Sequence, residues 1–219
     1  MLKILIASMM LMTGSQAYPK PPADRPHHFL HVPLSELVAF TPERVPETEA
    51  LIRRNLLNDP WSPRTGAKNP VLTLVCFTDY NSRPCRQLDV SLSRLIRSNP
   101  RIAVTYKFAP SPRQPTEAAR MALTVWQFQP EKFEAFHHAL MAYEGMIDGY
   151  SIRAAMRAAD VHISRVSPDT LSPLAVNRSL IMKLSLTEIP SLLIGDKVMT
   201  GSAKYSELEG AVNAALKNS

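Results

Sequence analysis

Residues 71–86, VLTLVCFTDYNSRPCR, constrain the fold more than any other stretch of the chain. Val71, Leu72, Thr73, Leu74 and Val75 form an apolar, β-branched run that reads as a buried strand. A short turn follows, and Cys85 opens a helical pattern through Leu88, Leu92, Leu95 and Ile96 that Asn99-Pro100 ends. Arg101 to Ala109, RIAVTYKFA, then reads as a second strand parallel to the first, completing a β-α-β unit. A cysteine in the first turn of such a helix meets unpaired N–H groups and the positive end of the helix dipole, which favour a thiolate. A partner cysteine three positions earlier would make a redox dithiol, but Ser82 stands there, in Ser82-Arg83-Pro84-Cys85. A serine alkoxide is not accessible near neutral pH, and Ser82 and Cys85 cannot form a disulfide. Ser82 can instead cap the helix by accepting the N–H of the third residue on, worth about 1 kcal/mol.

The 219 residues, 45% of them hydrophobic, suffice for a full core without metal or disulfide staples. The N-terminus MLKILIASMMLMTGSQA has a positive start at Lys3, an apolar stretch and a small-residue end at Ser15-Gln16-Ala17. Residues 1–17 therefore read as a signal peptide cleaved after Ala17. The apolar stretch is too short to span a bilayer core of about 30 Å. The mature protein is expected in the periplasm or otherwise exported, in an oxidising compartment and with no stable membrane span. Residues 18–45 form a proline-rich arm carrying Asp24, His27, His28 and His31. With neither regular structure nor a cysteine to close a site, these histidines read as part of a solvated tail, and no metal site is assigned. The net charge of +6 is scattered rather than grouped with aromatic residues, which reads as solvated helix faces and excludes a nucleic-acid partner.

The rest of the chain alternates helical and extended patterns. A helix is expected from about Glu47 to Leu57, and helices through Ala119 to Trp126, Phe133 to Met141 and Ile152 to Ala159 make a helical insertion over about residues 114–170. His137 and His138 lie within it and read as structural, one toward the core and one toward solvent. The chain returns through a helix near Leu174 to Leu186, a strand after Pro190, a hairpin at Gly195-Asp196, a strand at Lys197 to Met199 and a helix from Tyr205 to Leu216.

Over about residues 46 to 216 the sequence resembles the DsbA family of periplasmic thiol–disulfide proteins. Asp59, Pro60, Ser62, Pro63 and Gly66 match that family's D-P-x-S-P-x-x-G approach to the core strand, and Phe77, Asp79, Tyr80 and Cys85 match F-x-D-Y-x-C-x-x-C. Glu188-Ile189-Pro190-Ser191 resembles its cis-proline element. The departures are Ser82, where the family has its nucleophilic cysteine, and Ile189, where threonine or valine usually precedes the proline. The resemblance implies an α/β thioredoxin-like fold with a helical insertion, occupying residues 46–219. It implies a site of Cys85, with Ser82 in place of the nucleophile, and a substrate surface of Ile189, Pro190, Arg83 and Pro84. Cys76 falls where such proteins carry a buried acid beneath the second cysteine, which would make it Cys85's neighbour. Cys76 then reads either as a small buried hydrophobe or as the partner of Cys85 in a displaced redox pair or structural disulfide.

Two functions follow. One is a degenerate thiol–disulfide oxidoreductase or isomerase acting on extracytoplasmic client proteins through Cys85, with or without Cys76 and a redox partner protein. The other is a non-catalytic peptide-binding module or chaperone using the cis-proline groove. Neither calls for a cofactor, and with Ser82 in the leading position the sequence leaves enzymatic activity open.

Overall fold

The computed structural model describes residues 29–30 and 46–217. The signal peptide, most of the proline-rich arm, and Asp24, His27, His28 and His31 lie outside the described residues. In chain order the elements are β1 (Phe29–Leu30), α1 (Pro46–Leu57), β2 (Arg64–Gly66), β3 (Leu72–Thr78), α2 (Arg83–Ser98), β4 (Ile102–Phe108) and α3 (Glu117–Phe128). There follow α4 (Phe133–Met141), α5 (Gly149–Ala158), α6 (Leu171–Lys183), β5 (Ser191–Ile194), β6 (Lys197–Thr200) and α7 (Tyr205–Lys217).

The strands form one sheet in the order β1-β6-β5-β3-β4-β2. β3 and β4 pair in parallel, Leu72 opposite Ile102 through Thr78 opposite Phe108, as the β-α-β reading requires. β5 runs antiparallel to β3, with Cys76 opposite Leu192, and Gly195-Asp196 turns it into β6. Gly195 sits at φ +59°, the left-handed conformation such a two-residue turn needs.

Period-two alternation splits the sheet into two buried faces. Leu72, Leu74 and Cys76 point with Val104, Tyr106 and Phe108 toward Leu88, Leu92 and Leu95 of α2, Leu208 and Val212 of α7, and the insertion helices α3, α4 and α5. Val75 and Phe77 point the other way, with Leu193 and Val198, against Ile52 and Leu56 of α1 and Leu180 of α6.

The D-P-x-S-P-x-x-G stretch has a physical reason on that second face. Lys107 of β4 is fully buried and donates to Asp59 Oδ2 (3.0 Å), Ser62 Oγ (2.6 Å) and the Asn55 carbonyl. Pro63 O accepts the Tyr106 N–H at 2.8 Å, and β2 then pairs with β4. Gly66 lies so close that an added Cβ would stand 2.6 Å from Ile102 O, so only glycine fits.

Three details depart from the sequence-based expectations. β2 reads as part of an approach segment in the sequence but is an edge strand, made by its fit to β4. α6 begins at Leu171 rather than near Leu174, because Ser167 caps a 3-10 turn at Pro168–Thr170 that leads straight into it. The arm is not wholly a solvated tail, since Phe29–Leu30 pairs antiparallel with Met199 and Val198 of β6.

Candidate functional site

Ser82 takes the extended conformation of an N-cap, φ −91° and ψ 117°, and its Oγ accepts the Cys85 N–H at 3.4 Å. Arg83 and Pro84 form the first helical turn and stand exposed, since proline is tolerated where no intrahelical N–H is required. This geometry turns Cys85 inward, where it is only 1% exposed. Its Sγ accepts the Asp79 N–H at 3.4 Å. Burial pushes the Cys85 thiol up; hydrogen bonds with Ser82, the Asp79 N–H and Thr78 oppose this, and the Asp79 carboxylate adds to it. The cations that the sequence places beside it act elsewhere. Arg83 is exposed, and the Arg86 guanidinium donates to the Tyr143 and Gly145 carbonyls, each at 2.8 Å.

Cys76 faces the same side of the sheet as Cys85, and burial, then Cys85 and Asp89, push its thiol well above the ordinary range. Both cysteines are free and buried. Their reactive thiolate forms are therefore both disfavoured, the more so for Cys76.

Opposite Ser82, the Ile189–Pro190 peptide bond is cis. Ser82 and Ile189 line one cavity of ≈ 410 Å³ with Asp79, Ser111, Arg178 and Glu188. Pro190 is buried behind it, its carbonyl accepting the Gly201 N–H at 2.8 Å. A larger cavity of ≈ 630 Å³ joins Asn81, in the turn before α2, to the insertion, with Met121, Met146, Ile147, Ile152 and Met156 among its walls.

One turn along α2 from Cys85 lies a feature the sequence reading missed. Asp89, 5% exposed, accepts from His137 Nε2 at 3.0 Å, and the opposite ring nitrogen, Nδ1, is 2.8 Å from the Tyr80 hydroxyl. Burial pushes the Asp89 carboxyl upward, but attraction to His137 and hydrogen bonds from His137 and His138 outweigh it and hold it well below the usual carboxylate range. His137 is fully buried, with the rings of Tyr106, Phe133, Tyr80 and Phe108 centred 4.3, 5.3, 5.4 and 6.2 Å away. His138 is half-buried, its Nδ1 3.5 Å from Asp89 Oδ2, so the expected division between core and solvent holds. The network ties the turn before α2 (Tyr80), α2 itself (Asp89) and insertion helix α4 (His137) into one unit. The sequence signal that marks it is a carboxylate within the apolar stripe Cys85, Leu88, Asp89, Leu92.

Among the described residues no group of histidine, cysteine or carboxylate side chains is arranged to hold a metal ion, and no helix is long and apolar enough to cross a membrane.

A cysteine at the start of the helix joining parallel strands, faced by a cis-proline before an antiparallel strand, defines a thioredoxin fold, here with α3, α4 and α5 inserted after β4. A periplasmic thioredoxin-like protein from Salmonella enterica serovar Typhimurium is 36% identical, with a TM-score of 0.74 over 76% of this chain and 97% of its own. The catalytic domain of Proteus mirabilis ScsC is 34% identical, with a TM-score of 0.74 over 80% of this chain and 99% of that domain. A thioredoxin-like oxidoreductase from Silicibacter pomeroyi DSS-3 is 29% identical, with a TM-score of 0.69 over 75% of this chain and 98% of its own. No protein-family model and no curated protein matches the chain. The chain belongs to the DsbA family of thioredoxin-like proteins.

Proposed function

We propose that this chain is an exported thiol–disulfide protein of the DsbA family with a one-sulfur site. It holds an extended stretch of an extracytoplasmic client in the groove between Ser82 and Ile189 and engages client sulfur through Cys85. The observation that carries the reading is the placement of Ser82 as a cap over Cys85 at the wall of that groove. The signal-peptide pattern of residues 1–17 and the periplasmic description of the Salmonella relative support export.

The chemistry follows from the sulfur count. A Cys85 thiolate attacks one sulfur of a client disulfide, the client S–S bond breaks, a mixed disulfide forms, and the other client sulfur leaves as a thiolate that takes up a proton. Ser82 cannot resolve that intermediate. Release requires a second thiol, from the client, from a redox partner protein or from Cys76. The burial of Cys85 favours a second reading, in which the groove binds clients without covalent exchange and the sulfur is structural.

Mixed-disulfide trapping in the exported compartment separates the two. The parent should yield covalent client adducts that Cys85→Ala loses while non-covalent client binding persists, and Cys76→Ala should change how long the adducts last if Cys76 resolves them. Recovery of the same adducts from Cys85→Ala would overturn the thiol-based reading.

A further inference from the structure

Three carboxylates, Asp59 half-buried and Asp79 and Asp89 buried, lie close to this site or to the strands that carry it, and two of them have a basic side chain as partner. Asp59 pairs with Lys107 and Asp89 with His137, each at 3.0 Å. Asp79 is the third. It is 8% exposed, yet no ion pair reaches it among the described residues. Its carboxyl accepts the backbone N–H groups of Asn81, at 3.1 Å, and Ser111. Arg86 attracts it, but that guanidinium is committed to two carbonyls. Buried charges are ordinarily paired, because desolvation without a partner is costly. Burial raises the Asp79 carboxyl, the two backbone N–H groups and Arg86 oppose this only in part, and the residue stands at the wall of the ≈ 410 Å³ cavity, where a cation entering from outside would supply the missing partner.

The rest of the wall suits one kind of group. Ile181, Leu186 and Ile189 add aliphatic residues to its lining, and Ser82, Ser111 and Thr187 add hydroxyl-bearing ones. A lysine or arginine has the matching profile, an apolar stem carrying a cationic head. Arg178 and Glu188 also line the cavity and carry opposite charges, leaving Asp79 as the carboxylate in excess. Resting on the reading that a client segment lies in this groove, the geometry points to a subsite for a basic side chain of the client, with Asp79 receiving its ammonium or guanidinium group.

The test is fluorescence anisotropy of the full mature chain with short labelled serine–alanine peptides carrying lysine, arginine, norleucine or glutamate at the centre. The lysine and arginine peptides should bind about tenfold tighter than the norleucine peptide, the worth of a hydrogen bond to a charged group. In Asp79→Asn the ratio should fall to about one. Asparagine can still accept the Asn81 N–H, and burial raises the Asp79 carboxyl, so the thermal midpoint of this variant should be no lower than the parent's. Equal affinity for the lysine and norleucine peptides would overturn the subsite and leave the groove standing, whereas no binding of any peptide would remove both. A basic preference that emerges only in Arg178→Ala would show the cavity filled by the chain's own arginine and would overturn assignment to a client.

Discussion

Replacing His137 with phenylalanine tests whether the Tyr80–His137–Asp89 network holds the insertion on α2. Phenylalanine suits the surrounding rings in size and stacking, so the apolar contacts are largely kept. What disappears is pairing: Asp89 keeps only His138, 3.5 Å away, and the Tyr80 hydroxyl loses its 2.8 Å partner. Breaking a buried pair from one side leaves an uncompensated charge, so the expected loss is about 4 kcal/mol. For a chain of this size that is a fall in Tm of about 10 °C. Removing both ends, in His137→Phe with Asp89→Leu, should recover about half of the loss, because no carboxylate is then stranded. Urea unfolding followed by circular dichroism gives the global value. Trp126, whose ring lies 5.8 Å from that of Phe133, reports locally on the insertion. A loss below about 1 kcal/mol for His137→Phe, or a double variant as unstable as the sum of the singles, would refute the reasoning.

Ser82→Cys should create insulin-reducing activity about tenfold or more above the parent, because it puts a second thiol at the N-terminus of α2, within the groove. A folded variant as inactive as the parent would show that Cys76, in place of the buried acid, or the groove itself also disables exchange. Stability should also depend on pH through the two histidine-linked groups. The Asp89 carboxyl is depressed from 3.8, so its contribution is present above about pH 4 and lost on further acidification. His138 is raised from 6.5, chiefly by its hydrogen bond to Asp89, so its contribution is complete below that pH and lost as pH rises through the raised value. Denaturation midpoints across pH should show both limbs, and His138→Gln should flatten the alkaline one; an unchanged alkaline limb would refute the assignment.

Much of the site was legible because it is local. Ser82 capping Cys85 spans three residues, the Gly195-Asp196 turn needs only its own backbone, and the β3-α2-β4 unit follows from periodicity and the Asn99-Pro100 break. The serine in place of a leading cysteine and the Ile189-Pro190 step likewise rest on short contiguous patterns. Of the Asp89–His137–Tyr80 network only the carboxylate in the apolar stripe of α2 shows in the sequence; its partners do not, since the hydrogen bonds join residues 48 and 57 positions apart. No local propensity marks which of two adjacent histidines turns inward.

The state of Cys85 shows the division most clearly. By itself the sequence determined that one sulfur stands at the start of a helix, with a serine where its partner would be and arginines on both sides. Those features pull toward a thiolate, while the family position pulls toward burial, and sequence cannot weigh them. The tertiary structure decided in favour of burial, because the carbonyls of Tyr143 and Gly145 draw Arg86 away, Arg83 faces solvent, and Asp79 adds a like charge beside the sulfur. The same packing decided that Asp59 meets Lys107 and Asp89 meets His137, while no ion pair reaches Asp79 among the described residues. Charge balance in a low-dielectric interior depends on which distant groups the fold brings within a few ångströms, and that depends on how the chain packs rather than on its local order.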